Sequence, residues 1–249
     1  MFTLFVSDAV ATIALSPPGK LNAIAQAHWH QLAGCVHQAE AARARVIVLR
    51  SDDPAMFSSG ADIIEFEALQ RNEDARVGFR MAMREGIEAL ANSPLPTIAL
   101  VEAGCVGAAV ALVLACDIRI AGEEARFAVT PARLGLTYQV EDLARLAAVV
   151  GQGQASRLIF SAQSVDAEEA LRIALVELVG GEAALDALCA AITANSGDSV
   201  RGLKTLLKAA VVDESGIVTE RLFDDAFGSA DFAEGLAAFR ERREPKFKR

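Results

Sequence analysis

The sequence predicts an α/β core that carries a helical C-terminal layer. Three observations point there. Short apolar runs alternate with amphipathic stretches through the first half of the chain, the pattern of strands interleaved with helices. Beyond residue 141 the pattern is helical almost throughout. The chain has 249 residues, 53% of them apolar, which is enough to bury a sizeable core in one large domain or in a domain with an appendage.

Taken in order, residues 2–6 and 11–15 are apolar runs flanking Ser7-Asp8-Ala9, the pattern of a hairpin. Residues 25–43 read as a helix with Trp29, Leu32 and Val36 on its inner face, and VIVLR at 46–50 as a strand buried on both faces. The segment 51–61 holds Asp-Asp-Pro and Ser-Ser-Gly and reads as a loop, although its end at Phe57 has the look of a strand giving way to a glycine turn. Helical pattern resumes at 62–69 and 75–90; Pro94 and Pro96 then end it and introduce a strand at 97–101. GAAVALVLAC at 107–116 is apolar on all sides, so a helix there must be buried. Two short strands follow at 118–121 and 126–129. The remainder reads as helices near 141–150, 153–161, 166–175, 182–194, 199–211, 217–227 and 231–242, with cap chemistry at Ser164-Val165-Asp166 and Gly197-Asp198-Ser199.

Composition excludes several functions. The net charge of -9 disfavours nucleic acid as a partner, because phosphate binding wants a basic face. The cations gathered in 240–249 read as a solvated helix face. Cys35, Cys105, Cys116 and Cys189 form no CxxC pair, and His28, His30 and His37 lack i,i+4 spacing, so no metal site is expected. The apolar stretch 98–116 is broken by Gly104 and Gly107 and followed by Asp117, unlike a membrane span. A reduced cytoplasmic protein is the simplest expectation.

Two segments carry the chemistry. In FSSGADI (57–63) and EAGCVGA (102–108) a strand gives way to a glycine turn and a helix start. Each leaves backbone N–H groups free at a helix N-terminus, where the dipole favours negative charge. Two such donors converging on one point would make an oxyanion hole.

FSSGADI is close to the FxxGADI of the enoyl-CoA hydratase/isomerase (crotonase) family. Leu21-Asn22-Ala23-Ile24 resembles that family's first loop, and GCVGAAVALVLACD (104–117) its G-x-x-x-G-G-G-x-E-L-x-x-x-C-D. The match continues through 127–136 and in the last helix, AFRERREPKF (238–247). The resemblance covers essentially the whole chain. It implies a spiral of small ββα turns as a core over 1–190 and a C-terminal helical trimerisation region over 191–249. It also implies an acyl-CoA substrate, coenzyme A entering only as part of that substrate, and a homotrimer or dimer of trimers. By the same resemblance the N–H groups of Ala61 and Ala108 are the oxyanion donors, Ala108 standing where the family has glycine. Ala23, Asp62, Ile63 and Ile64 would lie along the adenine and pantetheine path.

The departures matter as much. Family hydratases use two glutamates to position and activate water; their positions here are Ala111 and Pro131, neither of which can transfer a proton. Ordinary hydration is therefore not expected. TPARLGLTY (130–138) resembles the T-P-x-x-L-G-x-x-Y of methylmalonyl-CoA decarboxylases in the same superfamily, whose tyrosine lies at the active site. Those enzymes have histidine where this chain has Ala61. Decarboxylation needs no base, and a pocket without carboxylates would not repel a carboxylate-bearing substrate. Double-bond isomerisation needs one carboxylate, for which Glu141 at a helix start is the candidate, although acids are stabilised in a first turn without any catalytic role. Tyr138 and Glu141 are thus the expected reaction-deciding residues. A CoA-binding module without chemistry is the remaining alternative.

Overall fold

The computed structural model describes residues 1–16, 20–211 and 216–247. Lys248 and Arg249, the last cations of the C-terminal run, lie outside them. β1 (Phe2–Ser7) and β2 (Val10–Leu15) form the expected hairpin, closed by Asp8 and Ala9, both at positive φ, so that Ser7 pairs with Val10. α1 (Gln26–Ala41) follows and buries Trp29, Leu32 and Val36.

The chain then winds in repeated turns, each giving its first strand to one sheet and its second to another. β3 (Val46–Ser51), β5 (Thr97–Val101) and β7 (Ile118–Ala121) join a six-stranded sheet of order β1-β2-β3-β5-β7-β10, with β10 at Leu178–Val179. β4 (Met56–Ser58), β6 (Gly104–Val106) and β8 (Arg126–Ala128) join a four-stranded sheet of order β4-β6-β8-β9, with β9 at Ser164–Asp166. Apart from the β1–β2 hairpin and the β8–β9 pair, neighbouring strands run parallel. Helices close the turns: α2 (Phe66–Arg71) and α3 (Glu73–Asn92) after β4, α4 (Ala108–Leu114) after β6, and α5 (Val140–Ser161) after β8. This is the ββα spiral that the resemblance implies.

The core lies between the sheets and these helices. α4 is buried from Ala109 to Leu114, as its all-round apolar sequence requires. Among the described residues no helix is long and apolar enough to cross a membrane. Gly151, at φ 76, breaks α5 into the two segments that the sequence suggests.

The C-terminal part contains α6 (Ala167–Arg172), α7 (Gly181–Ala194), α8 (Gly197–Val211), α9 (Ile217–Ala226) and α10 (Ala230–Glu241). Asp166 caps α6 as expected, but the residue capping α8 is Ser196, whose Oγ accepts from Ser199 N. The boundary expected at residue 190 falls inside α7. Leu185 and Cys189 of that helix pack on Val46, Val48, Ile98, Leu100 and Ile120, covering the outer face of the large sheet. Lys204 ties α8 to the same sheet through Asp117 (2.6 Å) and the Leu95 carbonyl (2.7 Å).

Four strands were not separable in the sequence. Met56–Ser58 falls in the stretch read as loop with a strand-like end at Phe57, Gly104–Val106 in the glycine turn, Ser164–Asp166 in the helix cap and Leu178–Val179 in the helical tail. At two or three residues each, they are too short to show a period of two, and they form because neighbouring turns of the spiral supply partners.

Candidate active site

Two backbone segments meet at the centre of the molecule, and a buried asparagine sets the first. Asn22 Nδ2 donates to Ser51 Oγ (2.8 Å) and to the carbonyls of Met56 (3.1 Å) and Phe57 (3.2 Å), fixing the early loop onto β4. Ser58 Oγ donates to the Asn22 carbonyl (2.7 Å) and accepts from Gly60 N (3.0 Å), which folds the turn back on itself. Ile24 then donates to the Gly60 carbonyl (2.8 Å) and accepts from Asp62 N (3.0 Å). This is an isolated parallel bridge between Ile24 and Ala61. Alternation along an extended backbone aims the N–H of Ala61 to the side opposite Ile24, and no acceptor among the described residues takes it.

The second segment is β6 and the start of α4. Gly107 sits at φ 62, ψ -129 and donates to the Ala128 carbonyl (2.9 Å). Ala108 is the first residue of α4, so its N–H has no intrahelical acceptor. The segments touch at Gly60, which has φ 89: a Cβ there would lie 2.6 Å from the Val106 carbonyl oxygen and 2.7 Å from Ala108 N. Only glycine permits both that conformation and that approach.

Ala61 and Ala108 both line a cavity of about 160 Å³. Phe66, Phe79 and Met83 from α2 and α3 supply one apolar wall; Leu134 and Leu136 supply another. Ala111 and Pro131, the positions that the resemblance matches to the family's two glutamates, also line it. Of the other sequence-proposed residues, Ile63 lines the cavity and is largely exposed, while Ile64 is more exposed still. Asp62 caps the short 3-10 helix Ile63–Glu65, accepting from Ile64 N (3.0 Å). Ala23 is half-buried beside Ile24. Neither Ala23, Asp62 nor Ile64 is on the cavity wall.

Tyr138 lines the cavity, with its hydroxyl buried and without a hydrogen-bond partner among the described residues. It lies near Gly107, 3.8 Å from where a Cβ would stand. Burial raises its pKa, and the nearby Asp142 and Cys105 raise it further. Glu141 is placed elsewhere: its side chain is 55% exposed, paired with Arg84 at 2.6 Å, and off the cavity wall. The acid that lines the cavity is Asp142, 3% exposed, with its Oδ1 turned toward Arg145 Nη1 (3.7 Å) and Arg84 Nη1 (4.0 Å). The expectation of a pocket without carboxylates is therefore corrected. α5 starts at Val140, so positions 141 and 142 lie about 100° apart around the helix, and of the two Asp142 is buried while Glu141 is exposed. The sequence shows two adjacent acids and nothing that tells them apart; only the packing of α3 against α5 does.

Comparison with known proteins agrees with this architecture. Residues 6–249 match the family model described as enoyl-CoA hydratase/isomerase, and the chain belongs to that family. It is 32% identical to a probable enoyl-CoA hydratase of Bacillus subtilis (strain 168), over 99% of this chain and 98% of that protein. Mouse mitochondrial methylglutaconyl-CoA hydratase is also 32% identical, over 83% of this chain and 68% of its own length. Among solved structures, an enoyl-CoA hydratase/isomerase family protein from Hyphomonas neptunium superimposes with TM-score 0.95 at 33% identity, covering 99% of this chain and 97% of the other.

Proposed function

We propose that this chain is an acyl-CoA enzyme that holds the thioester oxygen between the N–H groups of Ala61 and Ala108 and stabilises the enolate formed there. The observation that carries the reading is the contact at Gly60, which brings two backbone donors, unpaired among the described residues, onto one cavity wall. Fixed donors aimed at developing negative charge need no reorganisation during reaction, and one such donor is worth about two to three orders of magnitude in rate. Ala23, Asp62, Ile63 and Ile64, around the bridge and the exposed edge beside it, would follow the adenine and pantetheine of the bound coenzyme A, which is the substrate's own carrier and not a separate cofactor.

Ordinary hydration is not the reaction proposed. Ala111 and Pro131 face the cavity where water would need two carboxylates to position and activate it. The enzyme works as an oligomer in this reading, a trimer or a pair of trimers. Leu203 and Leu207 on α8, Phe223 on α9, and Phe227 and Phe239 beyond it are exposed apolar groups that a second copy would cover. Its four free, buried cysteines suit a reducing cytoplasm.

Calorimetric titration with hexanoyl-CoA, together with crotonyl-CoA mixed with the enzyme and followed by its enoyl absorbance, tests the reading. Saturable binding with little or no hydration is expected. Absence of saturable binding would overturn it.

A further inference from the structure

The cavity has a rim and an inner end. Ile63, Leu134 and Leu136 on its wall are exposed, whereas Phe79 and Ala111 are buried. The polar carrier of a thioester belongs at the rim, so an acyl group held at Ala61 and Ala108 runs inward. A pair of rings closes that end. Phe66 of α2 and Phe79 of α3 meet edge to face, with centroids 5.9 Å apart and planes at 86°, an arrangement that aromatic pairs favour. Met83, one helical turn beyond Phe79, lines the cavity beside it. The helix that carries Phe79 and Met83 is held on both sides. Gly86 is packed on α1 so closely that a Cβ there would lie 2.7 Å from the Trp29 carbonyl oxygen. Arg84 donates to Gln139 Oε1 (3.1 Å) and pairs with Glu141 (2.6 Å) at the N-terminus of α5. Phe79 is thus a fixed stop, not a wall that can yield.

The inner end offers nothing to a charged ligand. Among the described residues that line the cavity there is no Lys, Arg or His. Arg84 and Arg145, beside Asp142, share Glu88 Oε1 at 2.7 and 2.6 Å, and neither lines the cavity. A carboxylate on the acyl group would be desolvated against apolar rings with no cation to pair it, and an unpaired buried charge is strongly unfavourable.

Resting on the acyl-CoA reading above, we infer that Phe79, with Phe66 against it, selects the substrate: an uncharged aliphatic acyl thioester of about six carbons or fewer. The cavity of about 160 Å³ is close to the roughly 150 Å³ of an engineered apolar cavity that binds benzene, a molecule of six carbons. Within that length each further buried methylene tightens binding about three- to fourfold. A longer chain meets the Phe79 ring, and its extra methylenes stay at the rim and add nothing. Phe79 touches no reacting atom in this reading; it decides which thioester fits.

Calorimetric titration of the wild type, Phe79→Ala and Phe66→Ala with butanoyl-, hexanoyl-, octanoyl- and glutaryl-CoA tests this. In the wild type, hexanoyl-CoA should bind roughly tenfold more tightly than butanoyl-CoA, and octanoyl-CoA no more tightly than hexanoyl-CoA. Glutaryl-CoA, similar in length but ending in a carboxylate, should bind at least about 10²-fold more weakly than hexanoyl-CoA. Phe79→Ala opens the inner end, so octanoyl-CoA should become roughly tenfold tighter than hexanoyl-CoA. A ring with only a packing role would instead weaken every length alike. Phe66→Ala, at a half-buried position, should move the limit in the same direction, and it decides the matter if Phe79→Ala does not fold. Octanoyl-CoA bound roughly tenfold more tightly than hexanoyl-CoA by the wild type, or a limit unmoved in the folded variants, would overturn the role of Phe79. Glutaryl-CoA bound as tightly as hexanoyl-CoA would overturn the uncharged class. Either result leaves the acyl-CoA reading intact, whereas no saturable binding of any thioester overturns both.

Discussion

Gly60 and Ala108 are in backbone contact: a Cβ on Gly60 would lie 2.7 Å from the Ala108 nitrogen, with the Val106 carbonyl closer still. One contact therefore joins two turns of the spiral and sets the spacing of the two donors. Gly60→Ala would force a side chain into φ 89 and onto backbone atoms that cannot swing aside. A left-handed conformation costs about 1–2 kcal/mol and overpacking about 1–3 kcal/mol. A loss of roughly 2–5 kcal/mol in denaturant unfolding is expected, with loss of hexanoyl-CoA binding.

Tyr138→Phe separates chemistry from stability. The hydroxyl is buried without a partner among the described residues, so removing it relieves a desolvated group and leaves no broken bond. The melting temperature should stay level or rise slightly while turnover falls. A variant with lower stability and full turnover would give Tyr138 a packing role only.

Asp142→Asn should stabilise the protein at neutral pH. Its carboxyl pKa is raised in the folded state, first by burial, so the folded protein binds the proton more tightly than the unfolded chain. Stability from this group is thus greatest below the unfolded value and declines as pH rises through the folded one. The variant, which cannot ionise, should melt higher than the wild type at neutral pH, and the gap should close in acid. Comparing the two melting curves across pH checks this, and a variant less stable at neutral pH would contradict it. By contrast Glu141→Gln, on an exposed ion pair, should leave turnover near the wild-type rate.

Lys204 is the anchor of α8. Its Nζ meets Asp117 Oδ2 at 2.6 Å and the Leu95 carbonyl at 2.7 Å, and its side chain is 8% exposed, whereas that of Asp117 is 30% exposed. Removing one partner of a buried pair costs about 3–5 kcal/mol, and the partial exposure of Asp117 places Lys204→Met nearer 2–3 kcal/mol. Equilibrium unfolding measures this directly, and hexanoyl-CoA affinity should not change.

The two glycine turns were legible because they are local, whereas the spiral was expected only through the family resemblance. FSSGADI and EAGCVGA carry their conformation in glycine and in the apolar run that follows. The all-round apolar 107–116 had to be a buried helix. What was not legible depends on neighbours distant in sequence. The paired strands β6 and β9 are too short to announce themselves, and β4 showed only as a strand-like end at Phe57. The choice between Glu141 and Asp142 depends on Arg84, some 57 positions earlier, which draws Glu141 outward. Asn22 stands in the loop that the family resemblance singled out, but nothing local in the sequence tells that its side chain pins that loop to β4.

Donation from Ala61 and Ala108 to the thioester oxygen is read in the infrared carbonyl stretch of bound, carbonyl-labelled hexanoyl-CoA. Donation weakens the C=O bond, so the account predicts a lower frequency in the wild-type complex than in water. Ala108→Pro should restore much of that loss: at the first residue of a helix proline is tolerated and removes only the N–H. The same variant should lower turnover by about 10²–10³-fold. A bound carbonyl at the frequency it has in water, or one unchanged in the proline variant, would contradict the account.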